Sequence, residues 1–248
     1  MAAFRHAVEG WAADMVELDV HASGDGHCVV IHDDTVDRTT DGSGHVAFMP
    51  LKDLGRLDAG YRFSRDGGRT YPFRGKGITI PTIDEVLGSF PDLRFTVEVK
   101  AAAAQAPLLQ AIQRAGAEQR VIIAGMEHCQ RTLFHRYDGP VSASARQCRL
   151  YYSLSRLGMA RLYTPATDVV QLPYSWRGVQ VVTPRLIASL HSKGLPVHVW
   201  TVNDVDVMER LIDWCVNGIV TDRCDLLAQV LTRRLGRPEA PMASRNPG

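Results

Sequence analysis

The stretch MVELDV, residues 15–20, decides how this chain is read. Alternate side chains of a strand face opposite sides of a sheet, so Glu17 and Asp19 share one face and aliphatic residues the other. The stretch FTVEVK, residues 95–100, repeats the arrangement. Thr96, Glu98 and Lys100 lie on one face, with Phe95, Val97 and Val99 free to pack under helices on the other. A buried carboxylate without a partner costs several kcal/mol. Three acids and one lysine on such strands therefore require a cation, a mouth open to water, or mutual pairing, and a bound metal would satisfy all three acids.

Between these strands lies GDGHCVVIHDDTVDRTTDGSG, residues 24–44, a hydrophobic run that ends at His32-Asp33 and enters a loop rich in Asp, Thr and Gly. Histidine is the side chain best suited to proton transfer near neutral pH. A solitary E-x-D pair or a single histidine after a strand is ordinarily structural. Their co-occurrence on separate strand ends points to a site containing His32.

Further outward, strands alternate with helical patterns, which predicts a parallel sheet covered by helices. TIDEVLGSF (82–90) reads as a helix capped by Thr82 with Glu85 at the capping-box position. Helices are also expected up to Gly116, near 127–137, around 148–158, from Pro184 to Gly194, over 204–215 and from Asp225. The expected strands are MVELDV, RFTVEVK, VIIAG (121–125), VSASA (141–145), VVQLP (169–173), VHVWTV (197–202) and GIVTD (218–222). A barrel of this unit closes at eight, so one strand is missing at the front. Residues 33–80 do not follow the repeat and read as an insertion between the second strand and its helix, of the kind that often serves as a functional lid. One large domain over 1–235 is expected, followed by a disordered Pro-rich and polar tail over 236–248.

Composition agrees with a globular enzyme: 248 residues, 45% hydrophobic, 22% charged, formal net charge +1. That charge argues against a nucleic-acid partner held by a broad basic surface. No apolar run is long enough to span a bilayer, and the opening MAAFRHAVEGW reads as an amphipathic helix. A cytoplasmic location is expected for the chain as written. Five widely spaced cysteines without a CxxC pair suggest neither a disulfide framework nor a zinc site.

The chain resembles the glycerophosphodiester phosphodiesterase family from residue 2 to about 230. The resemblance is carried by AAFRHAVEGWAADMVELDV, VVIHDDTVDRTTDGSG, LDAG, IPTIDEVL, VEVK, VHVWTVND and GIVTDR, in the family's order and spacing. It implies an α/β fold, a TIM (β/α)8-type barrel whose active site lies at the carboxyl ends of the strands. It further implies that Glu17, Asp19 and Glu98 hold one divalent cation, Ca2+ or Mg2+, that His32 is one of two catalytic histidines, that Lys100 is a basic residue near the phosphate with a catalytic and a substrate-binding role, and that Trp200 lines the substrate pocket. The implied reaction is metal-dependent hydrolysis of a small glycerophosphodiester to sn-glycerol 3-phosphate and an alcohol. His198, on the face of Trp200 but deeper, is expected to be structural.

The family's first strand ends in a His-Arg-Gly string that supplies its other catalytic histidine and a phosphate-binding arginine. Arg5 and His6 fall too late in the register to replace them, so the natural protein is expected to begin roughly twenty residues earlier, where an export signal could also lie. Two other readings stay open: an inactive barrel that keeps the cation site as a binding protein, and a sphingomyelinase D-like phosphodiesterase. The latter group shares the E-x-D pair and following histidine but is expected to carry Asp where this chain has Glu98. Head-group alcohol and oligomeric state are left open by the sequence.

Overall fold

The computed structural model describes residues 1–243. The chain divides into two units, one of residues 1–4 and 15–139, the other of residues 5–14 and the chain from Pro140 onward. It opens with a short helix, α1 (Ala2–Arg5), continued by a π-turn over His6–Gly10. The amphipathic helix expected here is thus brief and changes pitch midway.

In the first unit, β1 (Met15–Ala22) turns back through Ser23–His27 into β2 (Cys28–Val30), an antiparallel partner in which Val20 faces Val30 and Ala22 faces Cys28. Gly26, at φ +84°, supplies the left-handed residue that this turn needs. Beyond it, residues 33–80 contain only brief helical turns, Val46–Phe48 and α2 (Leu51–Leu54). They wrap a small core of Val29, Ile31, Val36, Val46, Leu54 and Ile80. Helix α3 (Ile83–Ser89) begins with the expected capping box, Thr82 accepting from the Glu85 amide while Glu85 reaches back to that of Thr82. It leads into β3 (Arg94–Val99), which pairs in parallel with β1 so that Glu17 faces Thr96 and Asp19 faces Glu98. Phe95, Val97 and Val99 are fully buried. After α4 (Gln105–Arg114), β4 (Val121–Ala124) completes a sheet of order β2-β1-β3-β4.

The helix expected near 127–137 is instead two 3-10 turns, His128–Arg131 and Phe134–Arg136. Gln105 is the cause. Its buried amide donates to the Cys129 carbonyl at 2.9 Å and accepts from the Leu133 amide at 2.8 Å. Those two backbone groups are the i, i+4 pair that a continuous α-helix would join.

In the second unit, the strand expected at 141–145 reduces to the bridge residues Val141 and Ser142, the latter paired in parallel with Val169. Ser144 already caps α5 (Ala145–Arg156), accepting from the Gln147 amide, so the chain leaves the sheet there. Strand β5 (Val170–Pro173) is followed by a hairpin absent from the sequence reading, β6 (Ser175–Trp176) and β7 (Val179–Gln180), turning on Arg177 and Gly178 at φ +51° and +78°. Helix α6 (Pro184–His191) has Pro184 in its first turn and is followed by Gly194 in the left-handed conformation, as its sequence suggests. Then β8 (Val197–Trp200), α7 (Val205–Asp213), β9 (Gly218–Ile219) and α8 (Cys224–Leu235) give a parallel sheet of order β5-β8-β9. Leu172, Leu186, Ile187, Leu190, Val197 and Val199 lie in its core.

The first residues of the expected tail make specific contacts. The Arg237 guanidinium grips Asp14 with two 2.7 Å hydrogen bonds, the Met242 amide donates to the Gly10 carbonyl, and Ala240 is buried. Residues 244–248 of that tail lie outside the described residues. No described helix is long and apolar enough to cross a membrane.

Candidate active site

The parallel register of β1 and β3 brings the acids together. Glu17, Asp19 and Glu98 each offer a carboxylate oxygen, all within 4.8 Å of one another. Lys100, the residue after β3, donates from Nζ to Asp19 Oδ1 and Glu98 Oε1, both at 2.9 Å. Its backbone is fixed on both sides: its amide donates to the Val20 carbonyl, and its carbonyl accepts from the Gln130 side chain. Burial alone pulls the ammonium toward its neutral form. The hydrogen bonds and charges of Asp19 and Glu98 outweigh burial and hold the Lys100 pKa above its usual value.

Three carboxylates against one ammonium leave this cluster a formal charge of −2. Each carboxylate also has a second oxygen. Hard oxygen donors in this number suit Ca2+ or Mg2+ better than a thiophilic metal. The residues present therefore fit a divalent cation in both charge and donor chemistry.

His32 reaches the same end of the sheet through the β1–β2 hairpin. The Ile31 amide donates to the Asp19 carbonyl, and the buried His21 ring holds the His32 carbonyl at 3.1 Å. The imidazole itself is open to solvent, its side chain 63% exposed. Nδ1 lies 2.7 Å from Asp33 Oδ1, and Asp33 is gripped from behind by Arg38 through Nε at 2.5 Å and Nη2 at 3.0 Å. Those bonds, Arg38's first and His32's second, hold the Asp33 carboxyl well below the usual carboxylate range. An ionised Asp33 can only accept. Nδ1 must then carry the proton in the neutral ring, leaving Nε2 as the lone pair directed outward.

Asp33 and Arg38 were not singled out from the sequence. The available signal was an Asp directly after His32 and an Arg five residues beyond it. Trp200 belongs to the second unit, where it ends β8, half-buried, opposite Pro173 in the β5 register. His198, two residues earlier on β8, is half-buried, and burial lowers its pKa. No His-Arg-Gly string occurs in the 248 residues, and His6 is engaged with Trp11, whose indole nitrogen donates to it at 3.1 Å.

Residues 1–226 match the model of the glycerophosphoryl diester phosphodiesterase family. A probable glycerophosphodiester phosphodiesterase 2 of Mycobacterium tuberculosis is 34% identical over 225 residues, covering 88% of this chain and 80% of the relative. A glycerophosphodiester phosphodiesterase of Caldanaerobacter subterraneus is 32% identical and covers 94% and 91%. Among solved structures, the glycerophosphoryl diester phosphodiesterase domain of another M. tuberculosis protein superposes with a TM-score of 0.83 at 20% identity, covering 94% and 92%. A phosphodiesterase of Oleispira antarctica in complex with its product sn-glycerol-3-phosphate gives 0.68 at 20% identity, covering 89% and 86%. These likenesses show a TIM-barrel-like α/β fold.

Proposed function

The chain belongs to the glycerophosphoryl diester phosphodiesterase family, and from that premise we propose a mechanism for it as a phosphoric diester hydrolase that converts glycerophosphodiesters to sn-glycerol 3-phosphate and an alcohol. The observation that carries the reading is the Glu17, Asp19 and Glu98 group with Lys100 bridging two of its members. The same anionic pocket would repel a phosphodiester unless a cation were held there, so Glu17, Asp19 and Glu98 are assigned as its ligands. Ca2+ and Mg2+ both suit the oxygen donors. Bound there, such an ion would neutralise phosphate charge and lower the pKa of a coordinated water.

The remaining roles belong to side chains. Lys100 supplies a fixed positive charge for a non-bridging phosphate oxygen, held in place by its two carboxylate partners. His32 moves the proton: Nε2, freed by the Nδ1–Asp33 bond, removes it from the attacking water or hydroxyl, while the departing alkoxide takes a proton from solvent to leave as the alcohol. Arg38 keeps Asp33 ionised and oriented, so the ring does not need to reorganise during the reaction. Trp200 is assigned to the apolar wall of the substrate pocket, supported by its position at the end of a parallel strand.

Residues 1–235 are read as the catalytic domain, with β1, β3, β4, the 141–145 segment, β5, β8 and β9 as the seven recognisable barrel strands and residues 33–80 as the insertion. The parallel pairings within each sheet support this reading. All five cysteines are free thiols.

The test is release of glycerol 3-phosphate from glycerophosphocholine by the purified chain. Release should require a divalent cation, stop on chelation, and be lost in His32→Ala. Turnover of sphingomyelin but not of glycerophosphocholine would move the chain to a different substrate class, and unchanged turnover in His32→Ala would remove the role of His32.

A further inference from the structure

Residues 60–77, GYRFSRDGGRTYPFRGKG, carry Arg62, Arg65, Arg69, Arg74 and Lys76 against a single acid, Asp66. The whole chain has a formal net charge of only +1, so this segment concentrates positive charge that the rest of the molecule balances. Its four aromatic residues are interleaved with that charge. Phe63 is 45% exposed and Tyr71 37% exposed, although large aromatics ordinarily go inside.

The segment is built rather than frayed. Asp58 closes its base, accepting from the amides of Gly60 and Gly75, and Ala59 donates to the Ile78 carbonyl at 2.7 Å. Asp66 is consumed internally by the amides of Arg69 and Thr70 and the hydroxyls of Ser64 and Thr70. Its charge therefore shapes the tip of the loop. The Arg74 guanidinium lies between the Tyr61 and Tyr71 rings, 4.0 and 3.9 Å from their centroids, and Phe63 packs on Phe73 at 5.1 Å. Aromatic bodies carrying cations at their edges suit the boundary between lipid head groups and acyl chains, where one side is apolar and the other wet.

The loop is also joined to the segment that carries His32. Arg62 Nε donates to the Thr40 carbonyl at 3.0 Å and the Asp58 amide donates to Asp41 at 2.8 Å, two and three residues beyond Arg38. Whatever the loop binds is held beside that segment.

We propose that residues 60–77 dock the protein on an anionic phospholipid surface, with Arg65, Arg69 and Lys76 meeting the lipid phosphates and Phe63 entering the interface. The proposal goes beyond the hydrolase reading and leans on it for one consequence only: a glycerophosphodiester that keeps an acyl chain, and so sits in such a surface, would be presented to His32. Basic side chains near an anionic bilayer each contribute about fivefold to binding, and the contribution falls with ionic strength.

Co-sedimentation of the full chain with vesicles tests it, comparing phosphatidylcholine alone with phosphatidylcholine mixed with phosphatidylglycerol. The mixed vesicles should bind the chain, high salt should release it, Arg65→Gln/Arg69→Gln/Lys76→Gln should weaken binding about 100-fold, and Phe63→Ser should weaken it by a smaller factor. Hydrolysis of soluble glycerophosphocholine should stay unchanged in all four substitutions, so a failed catalytic reading and a failed docking reading give different results. Equal sedimentation with both vesicle types, or a triple variant that binds like the unaltered chain, overturns the proposal. So does loss of heparin and vesicle binding together in the triple variant while Phe63→Ser binds both normally, since that pattern assigns the loop to a soluble polyanion.

Discussion

Nδ1 of His32 lies 2.7 Å from Oδ1 of Asp33, whose carboxylate is held on its other side by Arg38. The pair fixes which nitrogen of an otherwise solvent-exposed ring carries the proton. Asp33→Asn keeps the shape but can turn an N–H toward Nδ1, which favours the tautomer with its proton on Nε2. The expected result is a fall in kcat of about 100-fold with KM little changed. Arg38→Gln should give a smaller fall in the same direction. Steady-state kinetics on glycerophosphocholine checks both, and a wild-type kcat in Asp33→Asn would show that the ring needs no such orientation.

Asp19 and Glu98 face each other across β1 and β3 and share the Lys100 ammonium, so occupation of the cluster by a cation should stabilise the fold. At a concentration about 100-fold above Kd, ligand binding adds about 2.7 kcal/mol. For a chain of this size that raises Tm by about 5–10 °C. Thermal denaturation with Ca2+ or Mg2+ against chelator measures the shift, and Glu98→Gln should reduce it. No shift with either ion, or an undiminished one in Glu98→Gln, would remove the cation from this site.

The Thr82–Glu85 capping box and the β1–β3 face pattern were legible because both are local: two residues within a four-residue span define the first and alternation defines the second. The His32–Asp33–Arg38 set is equally local, yet it passed unread because its content is a charge state and a tautomer, which residue types alone do not give. The turns at 128–136 were hidden for the opposite reason. Their cause, Gln105, lies 24 residues before Cys129 and acts only once both are folded. At 141–145 two local signals competed, strand alternation and the Ser144 cap, and the cap prevailed.

Gln105 is therefore a test of the 3-10 turns. Its amide also donates to the Ala102 carbonyl and Thr132 Oγ1, so one buried side chain satisfies several backbone groups. Gln105→Leu preserves bulk but strands the Cys129 carbonyl and Leu133 amide. Each unsatisfied buried group costs about 1–3 kcal/mol. Urea denaturation should show a loss of about 2–6 kcal/mol, and near-neutral stability would mean that these backbone groups find other partners.

His198 sets a pH dependence of its own within the second unit. Its ring lies where a side chain at Gly218 would intrude, a Cβ there coming within 2.8 Å of Cδ2, and the Gln171 side-chain nitrogen faces Nδ1 at 3.5 Å. Burial lowers its pKa from the ordinary 6.5. The unfolded chain then binds a proton more readily than the folded one, so stability increases with pH through the window between the folded value and 6.5. It is fully present above that window and is lost as pH falls through it. Denaturation midpoints measured on either side of the window should fall toward acid in the unaltered chain. His198→Asn, which cannot titrate there, should show a flatter profile. If both chains lose stability equally over that interval, the acid sensitivity belongs to another group and His198 binds its proton alike in the folded and unfolded chain.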